Sequence, residues 1–227
     1  MDRGPQASTS ERMEGRPTRV GLPRPAKVVG MPNEKLVFAQ SVEALFVRSL
    51  GPRIMREERR RLREAGLDLS EPLRPAYLLE QWRTFLRVAA VAVFPSNSTE
   101  AAHFALGEHF VQGYRQTAVG RASMSLISQM GPRGTIERIS HNFRAGNNFN
   151  AARVDELKDR SATLWLKDVA ADNPFFSAGF LTETLRGAGA QDIRVEPVAF
   201  EDCSATFRIS WAQAARRPPS APHAAVG

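Results

Sequence analysis

The apolar residues of this chain change their spacing near Gly146, and that change limits the fold more than any other feature. Before it they recur three and four apart. Val42, Leu45, Phe46 and Ser49 form one such stripe, and Leu78, Trp82, Phe85, Leu86, Ala89 and Val93 form a second. Leu106, Phe110, Gly113, Thr117 and Gly120 form a third. Each stripe is one face of a helix. After Gly146 the pattern alternates. Ala162, Leu164 and Leu166 interleave with Thr163, Trp165 and Lys167, and Ala205, Phe207, Ile209 and Trp211 repeat the pattern. These are half-buried strands. Between them Asn173-Pro174 opens a helix with inner face Ala178, Leu181, Leu185 and Ala188, ended by Gly189. The expected class is α+β: an N-terminal helical layer packed on a C-terminal antiparallel β-β-α-β-β sheet.

The 227 residues suffice for one substantial domain. Residues 1–33 are rich in Pro, Gly and Arg without an apolar period and read as a disordered basic tail. Residues 212–227 read as a second tail, which leaves 34–211 as a single α+β domain. The tails carry +3 and +2 of the net charge of +7, leaving +2 for the domain. A basic reading head is therefore absent from the domain, and no specific nucleic acid is expected as partner. The longest apolar run, Val88 to Phe94, falls short of the ~20 residues of a membrane span. The N-terminus has no apolar signal core, and Cys203 is the single cysteine. These features point to a cytoplasmic protein.

In finer detail, Lys35 to Phe38 reads as a short strand. Helices follow over the stripe ending at Gly51-Pro52, over Ile54–Ala65 with Gly66 as cap, and over Ala76–Phe94. Asn97 and Glu100 have capping-box spacing and open a central helix from Ser98 to Arg121, which continues toward Met130 or breaks at Gly120. Gly131 to Thr135 is a tight loop before a short helix, Ile136 to Arg144. Pro197 places its strand at an edge or a bulge. Arg53, Arg56, Arg60 and Arg63 form a stripe that is either a solvated face paired with Glu57 and Glu58 or a docking face for an acidic partner.

Glycines in the central helix cost about 1 kcal/mol each relative to alanine. Gly107, Gly113 and Gly120 therefore serve either the close approach of another backbone or room for a ligand. If a hollow exists, Leu106, Phe110, Gly113, Tyr114 and Thr117 are its expected wall. The polar stretch Arg138 to Asn148 is then either a capped helix end or a rim carrying Arg138, Asn142 and Arg144.

Catalytic constellations do not emerge. His103 and His109 are six apart, about 240° around a helix, and no HExxH, paired cysteines or GxGxxG is present. The stretch Phe175-Phe176-Ser177-Ala178-Gly179 lacks the first glycine of a nucleophile elbow. Cys203 follows Glu201 and Asp202, which disfavour a thiolate. Neither a catalytic residue nor a metal site is assigned.

Five blocks together resemble an uncharacterised family of myxobacterial paralogues, a domain of unknown function. They are LFVRSLGPR, LREAGLDLSEPLRPAYLLEQW, ALGEHFVQGYRQTAVGRA, GPRGTIERISHNFRAGNNF and CSATFRISW. The likeness covers about residues 36–211. The C-terminal half is also similar in layout to vinyl-reductase-type and heme-NO-binding domains, which implies helices against a sheet enclosing a small apolar ligand. No heme-ligating histidine is assignable here, so no cofactor is expected. The leading expectation is a non-enzymatic sensory or signalling-adaptor module that binds a small apolar molecule or a protein partner. The alternative is a structural protein that oligomerises, as a homodimer for example, through its glycine-rich helix face. An enzyme of unknown type is the third reading.

Overall fold

A computed structural model describes Met1, residues 34–139 and residues 146–213. The chain enters on a short strand β1 (Leu36–Phe38) and a helix α1 (Ala39–Val42) that widens into a π-helical turn, Glu43–Ser49. The Leu50 amide reaches back to Leu45 O at 2.8 Å, the five-residue step that defines this geometry. Next come α2 (Arg56–Glu64), β2 (Ala76–Leu78), α3 (Leu79–Val93), α4 (Thr99–Tyr114) and α5 (Ala118–Glu137). The C-terminal part is β3 (Ala151–Leu157), β4 (Ser161–Lys167), α6 (Phe175–Gly187), β5 (Ala190–Glu201) and β6 (Ser204–Gln213). The class is the expected one: helices first, then β-β-α-β-β.

The sheet order is β3-β4-β6-β5, antiparallel throughout. The two clearest alternating segments, β4 and β6, are its central strands. Leu164 faces Phe207 and Ala162 faces Ile209 across that pair, and all four are buried. The Leu, Phe and Ile side chains each contribute roughly 1.5–3 kcal/mol when removed from water. Pro197 lies in β5, an edge strand, at a shift of register toward Ala199. Both options at that position occur together. Asp202 and Cys203, at φ 48° and 60°, form the two-residue turn from β5 to β6, the geometry of tight antiparallel hairpins.

Two apolar cores result. One lies within the helical layer around Phe46, Trp82, Phe85 and Leu106. The other lies under the sheet, where Leu181 and Leu185 of α6 meet Leu164, Phe207 and Ile209. Helix α6 separates them and is buried on nearly every side, from Phe176 to Leu185 with only Phe180 partly open.

The helix glycines seat backbone. A Cβ on Gly107 would lie 2.1 Å from Phe176 O, and one on Gly179 would lie 1.9 Å from Phe104 O. Helices α4 and α6 therefore cross with each glycine against the other's main chain. A Cβ on Gly113 would lie 1.8 Å from Ala44 O in the π-helical turn.

Several boundaries differ from expectation. The central helix stops at Tyr114, because Thr117 begins a new one: its Oγ1 accepts from Gly120 N at 2.9 Å. Gly120 thus belongs to a cap, and a Cβ there would meet Tyr114 O. The N-cap of α4 is Ser98, whose Oγ accepts from Ala101 N at 3.2 Å, rather than Asn97. Residues 76–78 pair with β1 before α3 begins. The Gly131-Pro132 loop is a kink, with Gly131 at φ 71°, and α5 runs on to Glu137. The rest of the expected helix toward Arg144 lies mostly outside the described residues, as do the expected tails apart from Met1 and the end of β6. No helix among the described residues is long and apolar enough to cross a membrane.

Candidate ligand site

A cavity of about 150 Å³ lies where α4, α5 and α6 converge on the segment 146–150. Phe110 is its hub. It packs edge-on to Trp82 at 6.4 Å and to Phe176 at 5.9 Å, tilts against Phe180 at 6.0 Å, and stacks on Tyr114 at 6.0 Å. Helical spacing explains the set: Phe110 and Tyr114 are four apart on α4, and Phe176 and Phe180 four apart on α6. Gly107 and Gly179 let these helices cross in close contact, and the rings gather beside that crossing, with Phe176 and Phe180 on either side of Gly179. Val111, Met124 and Ile127 complete the apolar wall, and Ser177 and Thr184, both buried, add hydroxyls from α6.

The remaining wall is polar main chain held by asparagines. Asn147 Oδ1 accepts from Phe149 N at 3.1 Å and from Asn150 N at 2.9 Å, and Asn150 Nδ2 donates to Lys167 O at 3.1 Å. Ser41 Oγ donates to Gly146 O at 3.0 Å, and Phe38 N donates to the same oxygen at 3.0 Å. The segment is thereby stitched to β1 and α1 on one side and to β4 on the other.

Charge is kept to the periphery. Glu183, 3% exposed, is paired with Arg115 at 3.1 Å and with Arg186, which also reaches Glu108 at 3.1 Å. Burial alone would lower the Arg186 pKa, but the bonds from Glu108 and Glu183 outweigh it and raise the value. His109 lies on the far side of α4, between Ser49 Oγ at 2.9 Å and Arg53 Nη1 at 3.0 Å. Arginine only donates, so Nε2 accepts and Nδ1 carries the proton toward Ser49. Burial, then the Arg53 charge, holds the His109 pKa below its ordinary value.

The expected site residues are distributed as follows. Phe110 and Tyr114 line the cavity. Leu106 is fully buried in the helical core, Gly113 faces Ala44, and Thr117 caps α5. Arg138 is exposed at the end of α5, outside the lining. Asn142 and Arg144 lie outside the described residues. Asn147, inside the stretch 138–148 read as a rim, is on the lining, and Trp82, Phe176, Phe180 and Asn150 join it without having been singled out. Their signals were partial: Trp82 sat on an inner helix face, and Asn147 and Asn150 three apart mark a side-chain-bonded turn. The arginine stripe forms exposed ion pairs, Arg60 with Glu57 and Glu64, and Arg63 with Asp68. Among the described residues no three metal-binding side chains converge.

The family described as "Protein of unknown function (DUF2378)" matches residues 35–212. No curated protein matches the chain. Among solved structures the fold is similar to H-NOX domains. The Fe(II) unliganded H-NOX protein from K. algicida is 14% identical, covering 77% of this chain and 95% of that one, at a TM-score of 0.56. The H-NOX protein from S. oneidensis in its Fe(II)NO state is 10% identical, covering 78% and 99%, at 0.55. An oxygen-binding H-NOX domain related to soluble guanylate cyclases is 10% identical, covering 76% and 91%, at 0.53.

That likeness raises the question of heme. The described residues lining the cavity include no histidine, and 150 Å³ is well below the roughly 300–1,000 Å³ of pockets for drug-sized ligands. A wider cleft of about 300 Å³ between α3 and α4 does include His103, whose Nδ1 lies 2.8 Å from Thr99 O. Its wall residue Val91 is 64% exposed, so a macrocycle there would stand largely in water. The described residues do not fit a heme at either place.

Proposed function

The chain belongs to the DUF2378 family, and we propose that it is a sensory module whose cavity among α4, α5 and α6 takes a small, largely apolar molecule. The observation that carries this reading is the ring cluster of Phe110, Tyr114, Phe176 and Phe180 beside a hollow of about 150 Å³. An apolar cavity of that volume holds benzene in another protein. The H-NOX relatives, whose names include an oxygen complex and an NO-ligated state, give precedent for small-ligand binding on this fold.

A ligand here would touch α4 and α6 together, so it favours the state in which they are clasped. Transmission then follows mechanically. Gly113 seats Ala44 of the π-helical turn, so a displacement of α4 is felt at residues 43–49. The reading is of a binding module, since the described residues of the lining offer no paired acid, base and nucleophile. The oligomerisation alternative loses its motive: Gly107, Gly113 and Gly120 are all spent on contacts within the chain. A cytoplasmic setting accords with the single cysteine.

Native mass spectrometry and thermal shift on the full chain, with benzene-sized probes, test this. A probe at 100 times its Kd adds about 2.7 kcal/mol of stability. Ser177→Leu, which fills the hollow from α6, abolishes the response. A chain that responds to no probe, or a Ser177→Leu variant that responds fully, refutes the reading.

A further inference from the structure

Helix α6 carries two hydroxyls that the protein itself leaves unused. Ser177 is 6% exposed and Thr184 3%, and both residues line the cavity. A threonine inside a helix commonly donates to the carbonyl four residues back. Thr182 does so, with Oγ1 2.9 Å from Ala178 O. Among the described residues neither the Ser177 nor the Thr184 hydroxyl has a hydrogen-bond partner. Unpartnered polar atoms sealed from solvent do occur in the protein, Trp82 Nε1 among them, but these two oxygens are not sealed. Each therefore keeps open surface although its residue is more than nine-tenths buried, and the space that both residues border is the hollow. A hydroxyl offers one donor and two acceptor sites, so a purely apolar occupant would leave both unmade, at a cost.

The two hydroxyls stand on one face of α6. Seven residues bring a helix back to nearly the same direction and advance it by about 10.5 Å. With a bond of ~2.8 Å at each end, about 5 Å remains between the two atoms of an occupant that would meet them. That is the span across a six-membered ring bearing oxygens at opposite ends. Phe180 comes between the hydroxyls on α6, and its ring tilts against Phe110 at 6.0 Å, so aromatic wall flanks the span. The described lining holds no Asp, Glu, Lys, Arg or His, so a charged occupant would be buried unpaired.

We propose that the ligand is an uncharged six-membered ring with a hydrogen-bonding oxygen or nitrogen at each of two opposite ends, one bonded to Ser177 Oγ and the other to Thr184 Oγ1. This rests on the small-molecule reading of the cavity. Ser177 and Thr184 are then the specificity-determining residues: the aromatic wall accepts any small flat body, and the hydroxyls select among bodies by where their polar atoms stand.

The test uses the full chain, with air excluded, and three probes: benzene, hydroquinone and resorcinol. The last two have the same composition and differ only in where the second hydroxyl stands, opposite the first or two carbons from it. Affinities are measured for the native protein, for Ser177→Ala and for Thr184→Val, which remove one wall hydroxyl each at little change of volume. The native chain is expected to favour hydroquinone over resorcinol about fivefold, the weight of one hydrogen bond. In each variant only one end can be met, so the preference is expected to vanish. Benzene bound with no preference between the isomers overturns the two-ended recognition and leaves the cavity a ligand site. A preference that survives in either variant overturns the role of the hydroxyl removed. Binding of none of the three to the native chain removes both readings. A second measurement needs no variant. A crystal structure of the native chain with hydroquinone is expected to show its two oxygens bonded to Ser177 Oγ and Thr184 Oγ1 at once. Hydroquinone bonded to one of them alone, or seated elsewhere, overturns the proposal.

Discussion

Replacing Gly107 with alanine would force α4 and α6 apart. The added Cβ falls 2.1 Å from Phe176 O, 2.7 Å from Phe180 N and 3.1 Å from the Gly179 carbonyl carbon. Carbon atoms in contact sit about 3.5–4.0 Å apart, so the backbones must separate by about 1 Å or more. All three obstructing atoms are main chain in a buried helix, and none can rotate away. Overpacking of this kind costs about 3 kcal/mol, against which alanine recovers about 1 kcal/mol of helix propensity. A net loss near 2 kcal/mol is expected, or about 4–8 °C in Tm for a chain of this size. Urea unfolding of the full chain, followed by far-UV dichroism, measures it. Gly134→Ala is the control. Its Cβ would meet only the Met130 side chain, at 3.1 Å, so the propensity gain dominates and the variant is neutral or more stable. If Gly107→Ala matched that control, the tight crossing of α4 and α6 would be wrong. The account of how the four rings are gathered would go with it.

Other perturbations probe separate parts of the structure. Arg115→Met leaves Glu183, 3% exposed, with Arg186 alone, and a loss of about 3 kcal/mol is expected in denaturant melts. Cys203 occupies φ 60° in the hairpin turn, so Cys203→Gly relieves a left-handed conformation and Tm should rise by a few degrees. The His109 pKa is depressed, so its neutral form is the folded one. Its stabilising share is whole above about pH 6.5 and drains away as pH falls toward the lowered value. A Tm–pH profile of His109→Gln should be flatter over that interval, and an equally steep profile would assign the acid sensitivity elsewhere.

How much of this could be read ahead is clear from particular residues. The strands β4 and β6 were legible because a period of two is a property of five or six neighbours. The same holds for the Pro174 opening of α6 and the disturbance at Pro197. The break after Tyr114 was missed because the helical stripe Leu106, Phe110, Gly113, Thr117, Gly120 runs across it without interruption. Thr117 bonding Gly120 N is a local cap that competes with continuing the helix, and both readings suit the same letters. Of the candidate site, Phe110 and Tyr114 lie on the cavity because they share a helix face. Phe176, Phe180 and Trp82 come from other helices, and no spacing in one segment relates them.

Near-neighbour chemistry was enough for the α+β class, the order of elements and the surplus of glycine in α4, because periodicity, caps and turn residues act within a few positions of one another. The use of that glycine was decided only when α6 was laid against α4. Whether a missing side chain makes a contact or a void depends on what stands opposite, and Phe176 O stands nearly seventy residues away along the chain. The hollow itself exists only where α4, α5 and α6 meet. It is a property of how surfaces fail to fill space, and no stretch of the chain carries it alone.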